Sequence, residues 1–184
     1  MGSLEKTNGV EMKYSKNDII SKTDVAFVIE SGYVAVLNAD GDIMDFIGIG
    51  SGILSLDALS SYSFEVISNE LLVIQYEQDT VLSNEKDFIV PKKNNLLKFS
   101  SEQRISQTLF QLGRRHGTET GDPGLIRFPK AINKGSIAKY TNLNPNTVTK
   151  ALKKLQSEGV IYNRSRELFI DMFEMESRIE RIAQ

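Results

Sequence analysis

From Asp18 to Tyr76 short apolar or alternating runs are broken by turn residues, as in Val25–Ile29, Tyr33–Leu37, Ile43–Ile49 and Leu71–Tyr76. Runs of this length, alternating between apolar and polar positions, predict β-strands. Between them lie Glu30–Gly32 and Asn38–Gly41, the latter ending in an Asp-Gly pair that supplies the positive φ values of a tight hairpin. Many short strands at near-regular spacing predict an antiparallel sandwich or jelly roll. The pattern begins late, so the first strands of such a roll are expected to be missing or abbreviated.

After Tyr76 the stretches become longer and more polar, and Pro91 opposes one continuous helix over residues 79–113. A helix is expected to restart just after Pro91. Leu97, Ser101, Ile105, Thr108 and Leu112, flanked by Leu109, then follow helical spacing. This stripe serves equally as core within one chain or as a seam between two copies, because no heptad is sustained over several turns. Gly113–Gly124 is rich in helix breakers and is expected to be the hinge before the last domain.

Residues 135–158 predict a helix, a turn and a second helix. A short helix over Ser136–Thr141 is followed by Asn142-Leu143-Asn144 and a longer helix from Pro145 to Glu158. Asn142 tolerates a left-handed turn, Asn144 can cap the next helix, and Pro145 suits its first position. Gly159 then ends it. Val148, Leu152 and Leu155 share one face of the second helix, while Asn146, Thr149, Lys150 and Lys153 share the opposite one. Residues 160–170 read as two strands joined at Asn163–Arg166, a wing with Arg164 and Arg166 at its tip.

Composition narrows the chemistry. The 184-residue chain contains no cysteine, which removes disulfides, thiolate nucleophiles, cysteine-bound zinc and iron–sulfur clusters. His116 is the sole histidine and reads as a solvated linker residue. No apolar run approaches the roughly 18 residues of a membrane span, and the first residues lack the apolar stretch of a secretion signal, so a cytoplasmic protein without membrane attachment is expected. Neither a metal nor another cofactor is expected. Asp40, Asp42 and Asp45 read as a solvated edge rather than a cation site, and Gly48, Gly50 and Gly52 as turn residues rather than a phosphate loop.

The formal charge of −2 conceals large blocks. Residues 1–90 hold 5 Lys+Arg against 15 Asp+Glu, net −10; residues 91–166 hold 15 against 4, net +11; residues 167–184 hold 2 against 5, net −3. The basic block coincides with the helix-turn-helix and wing and would draw a polyanion. Attraction between the acidic and basic halves is the alternative account of the same distribution.

At this point the chain resembles the Crp/Fnr superfamily of regulators. The resemblance is carried in order by Arg104–Leu112, Gly135–Leu155 and Glu158–Ile161, and more weakly by Tyr14–Ile20 and Phe27–Val36. It implies an α+β chain with an N-terminal antiparallel β-roll of the cyclic-nucleotide-binding, jelly-roll type, a connecting helix and a C-terminal winged helix-turn-helix. The corresponding boundaries are 1–90, 91–116 and 117–184. It also implies a non-enzymatic transcription regulator that binds a two-fold symmetric site on double-stranded DNA as a homodimer, with RNA polymerase as a further candidate partner. On this reading Asn146, Thr149 and Lys150 read bases, while Ser136, Asn144, Thr147, Lys153, Arg164 and Arg166 hold the DNA backbone.

Departures from the family pattern bear on specificity and sensing. Typical members carry Arg where this chain has Lys150 and Glu where it has Asn146, so its operator need not match the usual half-site. Members that bind cyclic nucleotides hold the phosphate with a roll arginine, whereas here the matching stretch is Gly48–Asp57 and no arginine precedes Arg104. A cyclic nucleotide is therefore not the expected effector, and the identity of any effector stays open. Two other readings remain: a winged module that docks an acidic protein, and a jelly-roll enzyme, although residues 1–90 contain no histidine for a roll metal site.

Overall fold

The structure, a computed structural model, describes residues 9–20, 26–53, 62–76 and 96–183. The chain divides into two compact units, Met1–Lys93 and Asn94–Gln184. Pro91, the expected restart point of a helix, and residues 54–57 of the glycine-rich stretch lie outside the described residues.

The first unit contains two four-stranded antiparallel sheets built from β1 (Val10–Ser15), β2 (Ile19–Ile20), β3 (Ala26–Ser31), β4 (Val34–Leu37), β5 (Ile43–Ile47), β6 (Gly52–Ile53), β7 (Ser63–Val66) and β8 (Glu70–Tyr76). One sheet has the order β1-β8-β3-β6 and the other β2-β7-β4-β5. Side chains on alternate positions enter one core: Phe27 and Ile29 of β3, Leu71 and Val73 of β8, Val34 and Val36 of β4, Phe64 and Val66 of β7. The Phe27 and Phe64 rings meet edge to face at 6.2 Å between centroids. The strands expected from alternation are thus present, and the expectation of a late start is corrected by β1, which pairs with β8 from Val10↔Gln75 to Ser15↔Glu70. Its side chains are almost all exposed, so this edge strand has no buried period-two pattern to betray it.

The loop between β4 and β5 is wider than a two-residue hairpin. The Asn38 carboxamide oxygen accepts from the backbone N–H groups of Asp40 (3.1 Å) and Asp42 (2.8 Å), and Gly41 takes φ +80°. Asp40 and Asp42 are exposed, but Asp45 corrects the expectation of a solvated edge: it is 3% exposed, and its carboxylate accepts from the Phe46 N–H at 2.8 Å. Among the glycines, Gly50 takes φ +77° in the turn after β5, and Gly48 lies where a Cβ would stand 2.4 Å from the Tyr33 ring. Gly50 is required by its backbone conformation, and Gly48 by the Tyr33 ring packed against it.

The second unit begins with a 3₁₀ turn at Leu96–Lys98 and then α1, Ser101–His116. Helix α1 starts where Ser100 and Gln103 cap one another: the Ser100 hydroxyl accepts from the Gln103 N–H (3.3 Å), and the Gln103 carboxamide accepts from the Ser100 N–H (2.9 Å). Ile105, Thr108, Leu109 and Leu112 are buried as the stripe predicts, but Leu97 is exposed and Leu96 takes the inward position, because the 3₁₀ turn changes the register. The breaker-rich stretch expected to be a hinge supplies the end of α1 and then the short strands β9 (Thr118–Glu119) and β10 (Leu125–Arg127). After these come α2 (Lys134–Thr141), α3 (Pro145–Ser157), β11 (Ile161–Arg164), β12 (Glu167–Asp171) and α4 (Met172–Ala183). The strands of this unit form an antiparallel sheet of order β11-β12-β10-β9, and α1 packs on α2, α3 and α4.

Candidate nucleic-acid interface

Helix α2 is opened by Asn133, whose side-chain oxygen accepts from the N–H groups of Gly135 (2.8 Å) and Ser136 (3.1 Å). It closes at Asn142, which adopts φ 54° and ψ 45° and turns the chain sharply. Two residues later Asn144 accepts from the Asn146 N–H at 2.8 Å, and Pro145 occupies the first turn of α3. A helix, a three-residue turn and a second helix follow directly from these caps.

Val148, Ala151 and Leu155 bury one side of α3. Ala151 thus takes the central inward position, while Leu152, expected to be core, is half-buried. Asn144, Asn146, Lys150 and Lys153 are exposed, and Thr147 and Thr149 are half-buried. Several of these groups are already partly engaged. The Asn144 oxygen is committed to its cap, leaving the amide N–H₂ to donate outward. The Thr149 hydroxyl donates to the Pro145 carbonyl at 2.9 Å, so it offers a partner lone pairs and a methyl group. Ser136 stands apart from this set: it is 8% exposed in the first turn of α2, with its N–H already capped by Asn133.

Strands β11 and β12 form the wing, with Arg164 opposite Glu167 and Ser165–Arg166 as its two-residue tip. Both tip residues have positive φ, 51° and 65°, as the right-handed twist of a two-residue hairpin requires. The Arg164 guanidinium lies 5.7 Å from the Tyr162 ring centroid and 5.9 Å from that of Phe169, cross-strand partners on one wing face. The Asn163 carboxamide donates to that of Gln156 at 3.3 Å and joins the wing to α3. Between wing and helices lies a groove of about 390 Å³, whose lining includes Thr149, Lys153, Arg166, Lys130 and Lys134. Lys130 and Lys134, not singled out from the sequence, thus extend the cationic surface; their only signal there was membership of the basic block.

Residues 103–176 match the Crp-like helix-turn-helix domain. The winged unit thus carries a Crp-like helix-turn-helix domain. The chain as a whole has the fold of the Crp/Fnr regulators, N-terminal antiparallel sheets followed by a Crp-like helix-turn-helix. It is similar to a cyclic nucleotide-binding domain containing protein from Listeria monocytogenes EGD-e, with TM-score 0.72 and 24% identity over 90% of each chain. FixK2 from Bradyrhizobium japonicum superposes with TM-score 0.68 and 16% identity, over 92% of this chain and 96% of that one. TTHB099, a transcriptional regulator of the CRP family from Thermus thermophilus, gives 0.65 and 18%, again over 92% and 96%. At these identities the likeness is one of fold. No curated protein matches the chain. Among the described residues no group of acidic or histidine side chains is placed to hold a metal ion, and no helix is long and apolar enough to cross a membrane.

Proposed function

We propose that this Crp-like chain is a sequence-specific DNA-binding transcription regulator that reads a two-fold symmetric operator as a homodimer and performs no catalysis. The observation that carries the proposal is α3 itself: Val148, Ala151 and Leu155 hold it from behind, while Asn146, Lys150 and Lys153 face outward beside a wing with Arg164 and Arg166. A helix about 10–12 Å across fits the major groove of B-DNA. In that groove Asn146 and Lys150 reach base edges, and Thr149 offers its lone pairs and methyl group. Asn144, Thr147, Lys153, Arg164 and Arg166 neutralise or bond phosphates, and Ser136 contributes only from the small exposed part of its side chain.

Lys150 in place of the arginine typical of the family changes the half-site, since an ammonium is a point donor and not a planar fork. The roll offers no arginine to a cyclic phosphate, so any effector it senses belongs to another chemical class. RNA polymerase is the further partner expected of such a regulator on a promoter.

Selection of sequences from random duplex DNA with the purified protein tests the proposal. An inverted repeat with half-sites about one helical turn apart, roughly 34–36 Å, is expected. No enrichment at low salt would move the assignment to a winged module that serves an acidic protein partner.

A further inference from the structure

Arg178 is an arginine in the interior. Its side chain is 4% exposed, and it sits on α4 at a position where an amphipathic helix usually carries an apolar residue. The guanidinium meets two other helices at once. Its Nε donates to the carboxylate of Glu158, the C-terminal cap of α3, and its Nη1 donates to the Ser106 hydroxyl of α1 at 2.8 Å. Its Nη2 donates to Glu102 of α1 at 3.2 Å. Glu102 in turn receives Lys154 of α3, whose Nζ is 2.8 Å from both carboxylate oxygens.

Two carboxylates and two cations therefore form a continuous chain of ion pairs, Glu158 to Arg178 to Glu102 to Lys154, around the C-terminal end of α3. Glu158 stands at the negative end of the α3 dipole, a position that disfavours a carboxylate unless a cation neutralises it, and Arg178 supplies that cation. The apolar stripe of α3 resists lifting from the core, but smooth side chains of this kind allow a helix to tilt and slide. Directed bonds to Glu158 and Lys154 restrict both motions.

The lever matters because Asn146 and Glu158 are twelve residues apart, roughly 18 Å along a helix at 1.5 Å per residue. A tilt of about 5° pivoting at the Glu158 end displaces Asn146 by about 1.5 Å, more than the 2.7–3.2 Å range of a hydrogen bond tolerates.

We propose that Arg178 is a positioning residue for DNA recognition: with Glu102 it clamps the far end of α3 so that Asn146, Thr149 and Lys150 meet the bases in register. This rests on the DNA-binding reading given above. It adds to that reading a specificity determinant that touches no DNA.

The test uses the full chain with Arg178→Lys, which keeps the charge but cannot span both carboxylates and Ser106, and with Glu102→Gln, a half-exposed site where the fold tolerates the change. Two quantities are read: the affinity ratio between the selected duplex and a scrambled one, and backbone hydrogen exchange in the last turn of α3. Each variant is expected to lower the affinity ratio about tenfold and to speed exchange in that turn by a similar factor. Binding of scrambled DNA should stay within about twofold for Arg178→Lys. Charge alone predicts the opposite for Glu102→Gln, since losing a carboxylate would tighten binding to every duplex. An unchanged affinity ratio in both variants overturns the clamp. Should the unaltered protein show no sequence preference, the DNA reading fails by itself and exchange decides the clamp: faster exchange in the last turn of α3 upholds it, unchanged exchange overturns it.

Discussion

Lys154 lies with its Nζ 2.8 Å from both carboxylate oxygens of Glu102, so one of the three lysines of α3 is neutralised from within the protein. Lys150 and Lys153, on the same helix, enter no ion pair among the described residues. The outward charge of α3 is thereby confined to the face that also carries Asn146.

Lys150 and Lys153 are expected to behave differently although they are three residues apart. Lys150→Ala should cost about 1–3 kcal/mol on the selected duplex and relax the preference at one base position, whereas Lys153→Ala should weaken all duplexes alike and lower the salt slope by about 1. Fluorescence anisotropy on the selected duplex and its single-base variants separates the two. Equal losses on every sequence for Lys150→Ala would remove it from base reading.

On the wing, Arg164 is held over the Tyr162 and Phe169 rings, which restricts the guanidinium before DNA arrives. Arg164→Ala should weaken binding to all sequences. Tyr162→Leu should weaken it less, by about 0.5–1 kcal/mol, because the charge stays and only one supporting ring is lost. A Tyr162→Leu loss as large as that of Arg164→Ala would mean that the ring itself contacts DNA.

The turn between α2 and α3 depends on Asn142 at φ 54°. Asn142→Gly should be nearly neutral, and Asn142→Val should cost about 1–2 kcal/mol, because a branched side chain crowds the following carbonyl in that conformation. Thermal unfolding of both variants measures this directly.

Glu102 gives the second unit an acid-sensitive contact. The hydrogen bond from Lys154 has the largest effect on its carboxyl; burial opposes it, and the charge of Lys154 with the hydrogen bond and charge of Arg178 then hold the carboxyl below the ordinary glutamate value of 4.5. A lowered folded-state value means that the stabilisation is fully present above the unfolded value, and is lost as pH falls from there through the lowered one. Glu102→Gln should therefore flatten the acid limb of stability below about pH 4.5. The effect is small because the side chain is 42% exposed and screened by water. An unchanged acid limb would show that other carboxylates account for it.

The recognition unit was legible where local chemistry dictates the backbone. Asn142, Asn144 and Pro145 each have one favoured place around a helical turn, and the structure uses each there. The roll strands were legible where alternate side chains enter the core, as at Phe27 and Ile29. Edge strand β1 escaped because neither of its faces is buried, and α4 escaped because its inward positions include Arg178 beside Met175. A buried arginine reads as a surface residue until its partners Glu102 and Glu158, 76 and 20 positions away, are brought to it by the fold. Leu152, expected to be core, lines the groove beside the wing instead and is half-buried, while Ala151 is buried. The face expected to read DNA was visible as a pattern, but the clamp behind it was not, since it depends on long-range packing.

The central claim is that α3 and the wing bind DNA through base and phosphate contacts together. Affinity for the selected duplex, measured by anisotropy across rising salt, tests it most directly. The account predicts a linear fall of log affinity with log salt at a slope near −0.9 per phosphate neutralised, with the selected duplex bound more tightly than a scrambled one throughout. Binding that is indifferent to salt, or identical for the two duplexes, would contradict it.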